Sequence, residues 1–192
     1  WSSAVGSMRI IGASIPYVKN PPVSRVCASR LARHITAWRS CDLRLTREEL
    51  VLLSLTAPSL HILECQLTEP QSGVQIIFPP KLQHLTLTIV DRSSAAAVNS
   101  ILHAMSRLSL LQLLDLNLTR GDPQLSFAPL QALLKLTEFD LSWKGMREEL
   151  TDAQIDEMRD FPSLVRPPLS FPSTDQLCRF LRPPTPPSPR SP

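Results

Sequence analysis

The sequence predicts an α/β chain of stacked units, with a parallel sheet on one side and helices and extended segments on the other. Three observations predict it. An apolar rhythm of the form LxxLxLxL recurs, clearest in "LLQLLDLNLT" at 110–119. Its copies return at intervals typical of short stacked units. The segments between copies carry helical stripes and helix-start signals.

In chain order, a faint copy starts at Val5 ("VGSMRIIG") and a weak one at Trp38 ("WRSCDLRL"). Strong copies start at Leu60 ("LHILECQL"), Leu82 ("LQHLTLTI"), Leu111 and Leu136 ("LTEFDLSW"), and a weak one at Leu164 ("LVRPPLSF"). Successive starts lie 33, 22, 22, 29, 25 and 28 residues apart. Alternation after the second anchor marks a short strand, with Leu63, Cys65 and Leu67 on one face and Glu64, Gln66 and Thr68 on the other. One such strand cannot bury its own leucines, whereas copies stacked side by side form a parallel sheet over a continuous core.

The connections fit this scheme. Residues 23–38 ("VSRVCASRLARHITAW") read as a helix, with Val23, Val26, Cys27, Leu31 and Ile35 inward and arginines outward. Residues 94–107 place Val98, Ile101, Leu102 and Met105 on one helical stripe. Capping boxes run from Thr46 to Glu49, Thr151 to Gln154 and Ser173 to Gln176. The last of these opens a short terminal helix within 173–181. "EPQSGVQIIFPPK" has no helical pattern, and its prolines predict an extended crossing. The end, "RPPTPPSPRSP", lacks apolar periodicity and reads as a disordered or polyproline-like tail.

The pattern resembles the leucine-rich repeat. The resemblance implies a leucine-rich-repeat solenoid over residues 1–182, of six or seven units, followed by a Pro/Ser-rich tail at 183–192. It puts the parallel sheet on the concave side and the helices and extended segments on the convex side. Many such repeats carry Asn or Cys nine positions into the unit, bonding neighbouring backbones. Here Thr46, Thr68, Val90, Thr119 and Lys144 stand there, which predicts an irregular arc. Irregular repeats of this kind look like those of F-box and related intracellular receptors.

Composition narrows the chemistry. Among 192 residues, 43% are apolar and only 5 are Gly, against 19 Pro. Scarce glycine argues against phosphate-cradling loops. No run reaches the ~18 apolar residues that a membrane span needs. The opening residue, Trp1, suggests a fragment of a longer chain, and the setting expected is the cytoplasm or nucleus. Cys27, Cys41, Cys65 and Cys178 are widely spaced, which points to buried thiols rather than a zinc knuckle or a disulfide framework. His34, His61, His84 and His103 fall at unrelated positions of the pattern. No Gly-flanked Ser suggests a nucleophile elbow. The carboxylate pairs Glu48–Glu49 and Glu148–Glu149 sit near expected helix starts, where the dipole favours them. No enzyme, metal site or cofactor is expected.

The outward strand positions are the candidate binding surface. The first column reads Asp42, Glu64, Thr86, Asp115 and Asp140, and the second reads Arg44, Gln66, Thr88, Asn117 and Ser142. Neighbouring parallel strands lie ~4.8 Å apart, so stacked carboxylates repel and a cationic partner relieves them. A protein partner with a basic segment is therefore expected. By resemblance, the module would recognise substrates for a ubiquitin-ligase adaptor whose other subunits bind an upstream region.

Two alternatives come from elsewhere in the chain. The module could be a regulatory or scaffold domain attached to an enzyme. Residues 1–47 carry eight Lys and Arg against one acid, and Arg25, Arg30 and Arg33 on one helix face could touch nucleic-acid phosphates. Residues 8–41 are Arg-rich, Ser-containing and acid-free, like a mitochondrial presequence. Residues 146–161 invert the balance, with six acids against two arginines.

Overall fold

The computed structural model describes residues 9–11, 23–28, 30, 32–68, 75–90, 94–118, 122, 124–143 and 150–162. Six strands form one sheet: β1 (Arg9–Ile11), β2 (Ala37–Leu45), β3 (Ile62–Thr68), β4 (His84–Val90), β5 (Leu113–Leu118) and β6 (Glu138–Trp143). They lie side by side in chain order, and every neighbouring pair is parallel. The helices are α1 (Val23–Cys27), α2 (Arg47–Thr56), α3 (Ala95–Met105) and α4 (Asp152–Arg159). Short 3-10 turns span Ala32–His34 and Ala128–Ala132. The chain is thus α/β, built on a parallel sheet.

Strands β3, β4 and β5 alternate strictly. In β3 and β4 every second residue is buried, and the others are half-buried. The central inward residues Leu63, Leu85 and Leu114 are fully buried, as are Leu87 and Leu116. Burying one such leucine is worth about 1.5–3 kcal/mol relative to leaving it in water. They join the helix residues Leu50, Leu53, Ile101, Leu102, Ile155 and Met158 in one cluster running from Val23 to Phe161. A strand-to-strand crossover in a parallel sheet is right-handed, so strands added in one direction keep their connections on one face.

The joints between units are alike. Immediately before the strands, Ile35, Leu60, Leu82, Leu111 and Leu136 each donate their backbone N–H to the carbonyl three residues earlier. All five are buried. One residue further on, the carbonyl of Thr36 accepts from both His61 N and Ile62 N. The His61, Gln83 and Gln112 carbonyls do the same toward the following strand. The five anchors lie 25, 22, 29 and 25 residues apart.

The connections follow the expected signals in three places. Thr46 caps α2 with the reciprocal Glu49 bond, and Thr151 caps α4 with Gln154. Ser94 caps α3, whose Val98, Ile101, Leu102 and Met105 are all buried. Residues 75–79 are non-helical, with Ile76 and Phe78 buried and Ile77 exposed. The Thr68 hydroxyl donates to the Leu45 carbonyl on the neighbouring strand at 3.3 Å, the kind of contact expected nine positions into a unit.

Two expectations are corrected. The helix expected over 23–38 ends at Cys27, and Ala37 and Trp38 already belong to β2. Stacking explains this: Ala37 and Trp38 pair with Ile62 and Leu63, and Trp38 is 2% exposed. The unit that was expected to start at Trp38 starts at Ile35. Trp38 therefore fills the place of Leu63, and Ile10 lies opposite Trp38, where the pattern had put Met8. The copy at Leu164, the helix within 173–181, the tail and the 148–149 pair lie outside the described residues.

Candidate functional site

The outward face of the sheet is set by the register. Glu64, Thr86, Asp115 and Asp140 lie opposite one another on β3 to β6, as the pattern predicted. Gln66, Thr88, Asn117 and Ser142 form the next row, which Arg44 extends onto β2.

Asp42 is not in the first row. The residue facing Glu64 is Arg39, and the one facing Gln66 is Arg44. Five steps along β2 match two along β3, so the strand bulges and Asp42 falls inside the irregularity. A bulge inserts residues without a counterpart on the partner and re-aims the strand. The row therefore holds three acids rather than four, and it opens on a guanidinium. Arg39 and Arg44 are both exposed.

A third outward row lies nearer the strand starts. Ala37, Ile62, His84, Leu113 and Glu138 face one another across it. Ile62, His84 and Leu113 are partly exposed, and Glu138 is exposed. The apolar template counts inward leucines alone, so it overlooks this row. Arg39 is missed because the template starts this unit at Trp38, whereas its first anchor is Ile35.

The acidic end is electrostatically costly. Burial pushes the Asp115 carboxyl above its ordinary value, and the Asp140 and Glu64 carboxylates push it the same way. The Asn117 amide opposes this by donating to Asp115 Oδ1 at 2.9 Å. The Ser142 hydroxyl donates in turn to Asn117 Oδ1. Asp140 Oδ1 is the one buried side-chain oxygen among the described residues with no hydrogen-bond partner. Such an atom ordinarily finds a donor. That oxygen is screened from solvent, at the β5–β6 end of the row.

The other candidates do not converge. His34 lies in the first 3-10 turn, His61 just before β3, His84 on β4 and His103 on α3. Among the described residues, no group of three or more His, Cys, Asp or Glu could hold a metal ion. Cys65 is buried, and burial with the neighbouring Glu64 carboxylate pushes its thiol up to about 12. Cys27 is buried as well. The basic helix face does not form as expected: α1 ends before Arg30, and Arg33 lies in the 3-10 turn, so the two are not aligned with Arg25 on one helix. No helix of the described residues is long and apolar enough to cross a membrane.

Polar side chains fasten α4 to the segment before it. Glu157 accepts from Phe127 N at 2.6 Å, Ala128 N at 3.3 Å and Ser126 Oγ at 3.0 Å. The buried Gln154 amide donates to the Leu125 carbonyl at 2.9 Å and the Asp122 carbonyl at 3.1 Å. These contacts hold the connections on either side of β6 together. No protein-family model, curated protein or solved structure matches the chain.

Proposed function

We propose that the chain is an irregular leucine-rich-repeat solenoid that recognises another protein, without catalysis, through its open sheet face. The observation that carries this is the Asp115–Asp140 pair. The two carboxylates stand opposite each other on adjacent strands, partly exposed, with Glu64 in the same row. Folding alone gains nothing from that arrangement, whereas a basic segment of a partner would relieve it. The repeated backbone joints support the solenoid reading.

The leading specific version, by resemblance, is substrate recognition in an F-box-type ubiquitin-ligase adaptor acting in the cytoplasm or nucleus. The test is affinity purification of the chain beside a Glu64→Lys/Asp115→Lys/Asp140→Lys variant, with matched thermal melts. Loss of specific partners from a folded variant is the expected result. An unchanged partner set refutes the reading. Ligase subunits among the partners of the parent chain would favour the adaptor version.

A further inference from the structure

The open face carries opposite charges at its two ends. Arg39 and Arg44 stand exposed on β2. At the far end, Asp115 on β5 and Glu138 and Asp140 on β6 supply three carboxylates. Glu64 lies directly opposite Arg39 on β3. Between the ends, Thr86 and Thr88 are uncharged. Beside them the half-exposed Ile62 and Leu113 form an apolar ledge, with His84 between.

We propose that this face binds an extended peptide segment of mixed charge, lying across the strands, with its basic side chains over Asp115 and Asp140 and its acidic side chains over Arg39 and Arg44. This rests on the docking role proposed above and narrows the partner. A uniformly basic segment would place cations on the two guanidiniums and be repelled there. The spacing follows from the sheet. Adjacent strands lie ~4.8 Å apart, so β2 is roughly 14 Å from β5 and 19 Å from β6. An extended chain advances ~3.3 Å per residue, so the two charged clusters of the ligand sit about four to six residues apart. An aliphatic side chain between them would rest on Ile62 and Leu113.

The experiment uses the full chain and three labelled synthetic peptides in anisotropy titrations at low and physiological salt. One peptide carries a Lys pair and a Glu pair centred five residues apart, with a Leu between. The second has the same pairs directly adjacent. The third replaces the Glu pair with Lys. The five-residue peptide is expected to bind at least about tenfold more tightly than either of the others, a difference of ~1.4 kcal/mol. Arg39→Glu/Arg44→Glu is expected to remove that preference and to strengthen binding of the all-Lys peptide. Equal binding of the all-Lys and five-residue peptides by the parent chain overturns the mixed-charge proposal and leaves the acidic docking role standing. Absence of binding by all three at low salt overturns both.

Discussion

Replacing Glu157 with Ala tests whether a single carboxylate fastens α4 to the preceding connection. Its Oε2 receives the Phe127 N–H at 2.6 Å and the Ala128 N–H at 3.3 Å, while Oε1 receives the Ser126 hydroxyl. A hydrogen bond to a charged group contributes about 1.5–3 kcal/mol, and a part-buried N–H left without a partner adds a desolvation cost. The Ser126 and Ala128 groups recover some of this by turning to water. The net loss is therefore about 2–3 kcal/mol. In a chain of this size each kcal/mol moves the melting midpoint by roughly 2–4 °C, so a fall of about 5–10 °C is expected. Glu157→Gln keeps one acceptor oxygen and loses about half as much. Thermal melts by circular dichroism give the midpoint, and hydrogen exchange read at the Phe127 amide localises the change. A loss below about 0.5 kcal/mol, the level of an unremarkable surface substitution, would refute the reasoning.

Two further outcomes concern titratable groups. The Cys65 thiol, pushed up to about 12, should resist a thiol reagent at pH 8 until the chain unfolds, as read by peptide mapping; its modification within minutes under native conditions would contradict the buried assignment. Asp115 titrates above its unfolded value, so its ionised form costs stability, a cost that is absent below the ordinary carboxylate range and complete above the raised value. Asp115→Asn should therefore stabilise the fold at neutral pH, by less than about 1 kcal/mol after solvent screening, with the gap over the parent closing as pH falls through that window. Parallel pH–stability curves for the two proteins would show that the strain is not at Asp115.

The inner side of the sheet was legible because one residue type repeats there. Leu60, Leu82, Leu111 and Leu136 announce four units, and the alternation after each fixes which side chains turn outward. Thr46 and Thr151 mark helix starts through purely local bonds, which sequence displays directly. The first full unit misled for a specific reason. Its strand carries inserted residues, and Cys41 fell where an apolar anchor was due, so the template settled three residues late. That slip put Asp42 in the row and left Arg39 out. Gln154 read as the capping-box partner of Thr151 and Glu157 as one more acid of that stretch, because their contacts with the earlier connection lie 26 to 32 positions away. Such contacts exist only once the neighbouring connection is in place.

The doubled carbonyls at Thr36, His61, Gln83 and Gln112 have a bearing on how such a chain can vary. The bond is made by main chain alone, and the four positions accordingly hold three different side chains. A unit can thus gain or lose several residues behind the sheet, as the 22- and 29-residue spacings show, without disturbing the seam that aligns it with its neighbour. Length polymorphism is absorbed on the helical side, while the lattice of outward side chains keeps its pitch.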